Sequence, residues 1–195
     1  MKKIFKLLLP VFLLTACDDK EAIQPPPQAH PQMRYTELNN VSIKFGQQKS
    51  LDIDGDNAKD LLFSTVHIAD PIYRVEKRRY FVTASFDVFS LVNELEETPA
   101  LNRGDAITIS NHPGFIWYNA NSLVLAEKII EETGTVHWEG NWKNADHKYF
   151  PVQVSKNNLR YNGWVEVSFK MDTEELILHR VAIAIEAGRD VKAGQ

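Results

Sequence analysis

The chain has 195 residues, a single cysteine and a formal charge of −4 from 22 basic and 26 acidic side chains. One cysteine excludes an internal disulfide framework, and the acidic balance argues against nucleic acid or a polybasic membrane surface as a partner.

Lys2, Lys3 and Lys6 stand before an apolar run through Leu7–Leu14. This is the charged start and apolar middle of a secretory signal, too short to cross a bilayer as a helix. Leu14-Thr15-Ala16-Cys17 closes the run and resembles the lipobox of bacterial lipoproteins. That resemblance implies cleavage before Cys17 and acylation of its thiol, with residues 1–16 as the signal peptide. Losing its three lysines would take the charge from −4 to about −7. Residues 17–34 then read as the acylated cysteine and a tether. Pro25-Pro26-Pro27, within a Pro/Gln stretch from Gln24 to Gln32, favours extended polyproline geometry and supplies no core. The acidic Asp18-Asp19 resembles the surface-export signal of Bacteroidota lipoproteins, although in enteric bacteria it resembles an inner-membrane retention signal. The expected address is the cell envelope, anchored to the membrane by lipid, with the outer-membrane or cell-surface leaflet favoured over the inner membrane.

Residues 35–195 are the size of one domain, and most of them read as strands. Val41–Phe45 is rich in β-formers, and so is Leu61–Ile68. In Arg79–Val88 the bulky Tyr80, Val82 and Phe86 alternate with Phe81, Thr83, Ser85 and Asp87. Leu123–Glu132 is ambiguous: Leu123, Ala126 and Ile130 fit a short amphipathic helix stopped by Gly134, and a strand or irregular loop fits as well. In Asn162–Met171, Trp164, Val165, Val167 and Phe169 are interleaved with Glu166, Ser168 and Lys170, and Val181–Ile185 alternates with alanine. Turn chemistry stands at Asn39-Asn40, Asn102–Asp105, His112-Pro113-Gly114, Asn157-Asn158 and Asp172-Thr173. The pattern predicts an all-β fold, an antiparallel, jelly-roll-like β-sandwich with at most one short helix.

The strongest chemical feature is Asp52-Ile53-Asp54-Gly55-Asp56-Asn57-Ala58-Lys59-Asp60. Calcium takes about six to eight hard oxygens, and carboxylates at alternate positions of a tight loop can converge on one ion. Asp52, Asp54, Asp56 and Asp60 would ligate by side chain and Ala58 by its carbonyl. Asn57 stands where glycine is usual, and it is the next most tolerant residue of positive φ. The stretch resembles the D-x-D-x-D-G-x-x-D calcium loops of dockerins, thrombospondin-type repeats and integrin-like propeller repeats. Phe63 replaces the glutamate that an EF-hand requires, so a loop leading into a strand fits better. A solvated acidic turn is the alternative, disfavoured by the mutual repulsion of four carboxylates. The ion expected is structural calcium.

Several short motifs recur in a telling order: Asp52–Asp60, Leu101-Asn102-Arg103-Gly104-Asp105, Gly140-Asn141-Trp142 before Tyr149, Tyr161-Asn162-Gly163-Trp164, and Ala193-Gly194-Gln195. In this order they resemble a group of secreted and lipid-anchored Bacteroidota proteins, over roughly residues 41–195. The chain departs from that group at Phe150-Pro151, where an aliphatic strand is usual. The resemblance implies the fold and the address but no activity.

Catalytic signatures are absent: no G-x-S-x-G, H-E-x-x-H, G-x-x-x-x-G-K or dinucleotide fingerprint occurs. His137 and His147 have no recognised ligand spacing, and hydrogen-bonded surface histidines account for them better than zinc. Trp117, Tyr118, Trp138 and Trp142 cluster in a Gly/Asn-rich stretch and are candidate ligand-binding aromatics, with core packing the blander account. The expectation is a non-catalytic, calcium-stabilised binding or accessory module of the envelope, for a glycan or a protein. The alternative is an envelope or extracellular glycan hydrolase with paired carboxylates, for which Glu94, Glu96 and Glu97 are candidates.

Overall fold

A computed structural model describes residues 30–195. Cys17, the expected signal segment and most of the expected tether lie outside the described residues. The chain forms β1 (Met33–Lys44), β2 (Lys49–Leu51), β3 (Leu61–Asp70), β4 (Val75–Ala84), β5 (Val88–Val92), β6 (Ala106–Ile107) and β7 (Ile116–Tyr118). It continues with β8 (Leu123–Glu131), β9 (Val136–Glu139), β10 (Lys148–Lys156), β11 (Leu159–Lys170), β12 (Glu175–Ala184) and β13 (Val191–Lys192). One sheet runs β1-β12-β11-β10-β5-β7, a second runs β2-β3-β4-β8-β9, and β13 pairs with β6. Every strand pair is antiparallel. The fold is the all-β sandwich that the alternation predicts, and the described residues contain no helix.

The main core lies between the two large sheets. β11 explains how: Val165, Val167 and Phe169 point into it, beside Phe63, Tyr80, Leu125, Phe150 and Leu178. Phe150 packs edge-on against Phe63 at 6.1 Å and tilted against Trp142 at 5.9 Å. The opposite face of β11 is buried too, with Trp164 at the centre of a second cluster that includes Tyr149, Ile107, Ala182 and Val191. Buried on both faces, β11 lies so close to β12 that a Cβ on Gly163 would stand 2.4 Å from the Ala182 carbonyl oxygen.

One open choice is resolved and three expectations need correction. Leu123–Glu131 is a strand, not a helix, because Leu123, Leu125, Ala126 and Ile129 are all buried within the five-stranded sheet. Phe86 does not extend the buried face of Tyr80 and Val82: β4 ends at Ala84, and Phe86 is 88% exposed in the turn that follows. Asn39-Asn40 is no chain reversal but a bulge inside β1, both residues with φ near 55°, where the pairing jumps from Glu37↔Arg180 to Val41↔Leu178. The sheet begins before residue 35, the expected start of the domain, since Met33 and Arg34 already pair with Ala184 and Ile183. Asn157-Asn158 does make the expected hairpin turn, with φ of 53° and 62° between β10 and β11. Pro151 is tolerated in β10 because it falls between the Leu101–Tyr149 bridge and the β5 ladder, which pairs only Val152–Val154.

Candidate metal centre

Residues 52–60 connect β2 to β3, whose last and first residues, Leu51 and Leu61, pair. Leu51, Ile53 and Leu61 are buried and pin the ends of the loop, and the Asp60 N–H donates to the Leu51 carbonyl at 2.9 Å. The polar residues between them fold the loop through their own carboxylates. Asp52 accepts the N–H groups of Gly55 and Asn57 at 2.6 and 2.8 Å. Asp54 accepts from Asp56 at 3.1 Å, and Asp56 from Ala58 at 2.8 Å. Gly55 and Asn57 take the left-handed turns, with φ of 71° and 70°. The sequence expectation for Asn57 is met, since asparagine tolerates this region far better than other residues with a Cβ.

Asp60 sits beneath the loop, 4% exposed, and its Oδ2 accepts from the N–H groups of Ile53 at 2.6 Å and Asp54 at 3.3 Å. Its carbonyl accepts from Ser85 at 2.8 Å, which ties the loop to the end of β4. Burial pushes its carboxyl up to about 6. The two N–H donors oppose that rise, and the charges of Asp54 and Asp52 add to it.

One carboxylate oxygen from each of Asp52, Asp54 and Asp60 lies within 4.8 Å of the others, so the three could hold one metal ion. Oxygens about 2.3–2.6 Å from a hard cation fit that spread, and water or carbonyl oxygens would complete the shell. Asp56 is not in this group. It faces Lys156, whose Nζ is 3.6 Å from it and 2.9 Å from Asp54. The Ala58 N–H holds the Asp56 carboxyl below its ordinary value, and the bond to Asp54 raises the Lys156 ammonium. Ala58 enters the loop geometry through its N–H to Asp56.

The four candidate aromatics do not share a surface. Trp142 is fully buried with its indole N–H on the Thr98 carbonyl at 3.2 Å. Trp117 is buried, donating to the Thr108 and Ser110 carbonyls at 3.0 and 3.2 Å. Trp138 packs edge-on against Phe169 at 5.2 Å, and only Tyr118 is exposed. Each indole serves the packing, which removes a shared aromatic platform. Glu94, Glu96 and Glu97 lie beyond β5, where Glu97 is engaged by Asn93 at 3.1 Å. His137 stands 3.8 and 3.7 Å from Glu131 and Glu139, whereas His147 pairs with Glu166 at 2.7 Å.

One constellation escaped the sequence reading: Asn40, His147, Glu166, Ser168 and His179, drawn together by β1, β11, β12 and the loop entering β10. The available signal was Asn39-Asn40 inside a strand, since bulges often re-aim a side chain at a site.

No protein-family model, no curated protein and no solved structure matches this chain.

Proposed function

We propose that this protein is a lipid-anchored module of the cell envelope whose sandwich is stabilised by calcium at the Asp52–Asp60 loop and which binds a glycan or another envelope protein. The observation that supports it most is the convergence of Asp52, Asp54 and Asp60 within 4.8 Å, three hard anionic donors on one short loop. Calcium there would be structural. It would join the ends of β2 and β3 and, through Asp60, the backbone of Ser85. The charged and apolar segments before Cys17 and the Pro-rich stretch after it support the anchor, at the outer-membrane or cell-surface leaflet.

The test is thermal unfolding of the full-length protein in detergent, with calcium and with EDTA. A ligand bound only by the folded state at 100 times its Kd adds about 2.7 kcal/mol, or about 5–10 °C for a chain of this size. Calcium should raise the melting temperature by that order, and Asp54→Ala should abolish the gain. An equal melting temperature in calcium and EDTA would sink the metal reading.

A further inference from the structure

A cavity of about 760 Å³ opens between the Lys143–His147 loop and the ends of β11 and β12, lined by Ala145, His147, Ser168, Phe169, Ile177 and His179 among others. Three residues beside it have left-handed backbones: Asn39 (φ 54°) and Asn40 (φ 55°), of a type that tolerates the region, and His147 (φ 47°), for which it is less favourable. Such strain persists where the fold enforces it, and it gathers at functional sites. Here each instance has an evident result. The bulge sets Leu38, Asn39 and Asn40 against His179 alone, between the pairs Glu37↔Arg180 and Val41↔Leu178, and brings Asn40 Oδ1 to 2.7 Å from His179 Nδ1. The turn at His147 aims its backbone N–H at Ser168 Oγ, 2.9 Å away. It also stacks its ring on His179, with centroids 4.2 Å apart and planes 22° apart.

His179 is therefore held on both sides. The Asn40 carbonyl oxygen accepts the Nδ1 proton, so Nε2 presents its lone pair to the Ser168 hydroxyl 2.8 Å away. Nucleophile, base and orienting amide in a hydrogen-bonded row are the geometry of an activated serine. Burial and the neighbouring His147 lower the His179 pKa, which keeps the ring neutral and ready to take a proton near pH 7. Glu166 Oε1, 2.7 Å from His147 Nδ1, orients the second imidazole, and Arg180 at 3.5 Å shares its charge.

We propose that Ser168, His179 and Asn40 form an acyl-transfer site that hydrolyses carboxylic esters, with the acyl group seated against Ala145, Phe169 and Ile177. Ser168 Oγ attacks the ester carbonyl carbon while its proton passes to His179 Nε2. The tetrahedral adduct collapses, the bond to the alkoxy oxygen breaks, and His179 returns the proton to the departing alcohol. Water then attacks the acyl-Ser168 carbonyl and gives His179 a proton. The Ser168–acyl bond breaks, the carboxylic acid leaves, and Ser168 recovers its proton. Asn40 is a positioning residue that keeps the productive tautomer. The side-chain amide of Asn144, which lines the cavity and has no hydrogen-bond partner among the described residues, is the donor available to the oxyanion. The site shares no residue with the Asp52–Asp60 loop, so it stands or falls independently of calcium.

The test treats the full-length protein in detergent with a fluorophosphonate probe and, separately, with p-nitrophenyl acetate and butyrate. The expected result is one adduct, mapped to Ser168, and ester hydrolysis that falls by about 100-fold or more in Ser168→Ala and in His179→Ala. Asn40→Ala should lower kcat with KM nearly unchanged and shift the pH profile, which a merely structural role would not do. Labelling is read on the unaltered chain, so it decides the matter even where a variant fails to fold. Absence of an adduct at Ser168, or wild-type hydrolysis by a folded Ser168→Ala, would overturn the proposal.

Discussion

Asp60→Asn offers a sharp test of the electrostatics of the loop, because its effect should reverse sign with calcium. Asp60 is buried, and its carboxyl lies at about 6 against an ordinary 3.8. The folded state therefore holds the proton more tightly than the unfolded chain does. Stability from this group is fully present below pH 3.8 and is lost as the pH rises through 6. At about 1.4 kcal/mol per pH unit, ionised Asp60 costs the metal-free protein about 3 kcal/mol at pH 7. Asparagine removes that charge at little structural cost, because Ile53 and Asp54 donate to the same oxygen, Oδ2, and one amide oxygen can accept both. In EDTA at pH 7 the variant should melt about 5–10 °C above the parent, and the gap should close by pH 4. In calcium the order should invert, since the parent gains an ion that the variant holds poorly. The assay is a set of calorimetric melts at pH 4, 5, 6 and 7 with each additive. A variant less stable than the parent in EDTA at pH 7, or a gap equal at pH 4 and 7, would refute the reasoning.

Lys156→Ala should strengthen calcium binding several-fold in a melting titration, because the ammonium 2.9 Å from Asp54 competes for the same carboxylate; without calcium its loss should leave the melting temperature nearly unchanged, since the pair is solvent-screened. Gly163→Ala should destabilise by about 1–3 kcal/mol in urea unfolding, since its Cβ would meet backbone atoms of β12 at 2.4 and 3.1 Å that cannot move aside as a side chain could. Phe150→Ala should cost about 3–5 kcal/mol by the same assay, as it empties the contact between Phe63 and Trp142 at the centre of the core. Cys17→Ala should abolish acyl-chain incorporation and release the protein from the membrane fraction, read by intact mass and fractionation.

The aspartate loop was legible early because it is local. Nine residues, with Asn57 and Gly55 able to turn left-handed, determine where those carboxylates gather, and no distant strand is required. Asp52, Asp54 and Asp60 were legible as members, but the exclusion of Asp56 was not. Asp56 lies outside the group, its carboxylate engaged by the Ala58 N–H, whereas Asp60 is held beneath the loop by the N–H groups of Ile53 and Asp54. Leu123–Glu131 shows the same limit: a strand apolar on both faces has no alternation to distinguish it from a helix.

The class of fold and most of its turns, though not the Asn39-Asn40 bulge, were readable in the residues alone. Alternation in β11 and left-handed Asn pairs act within a few residues, so they survive without knowledge of neighbours. The sequence also marked a candidate signal by its charged and apolar runs, a candidate lipidation site by its resemblance to the lipobox, and a candidate metal loop by its alternating aspartates. Which side chains meet depends on how the strands pair in three dimensions. That pairing buried Trp117 and Trp142, turned Phe86 outward, and joined Asn40, His147, Ser168 and His179 from four separate segments. Register governs this. Which residues face one another across strands depends on bulges and pairings between distant segments, and a one-residue slip would send each of these side chains to the opposite face.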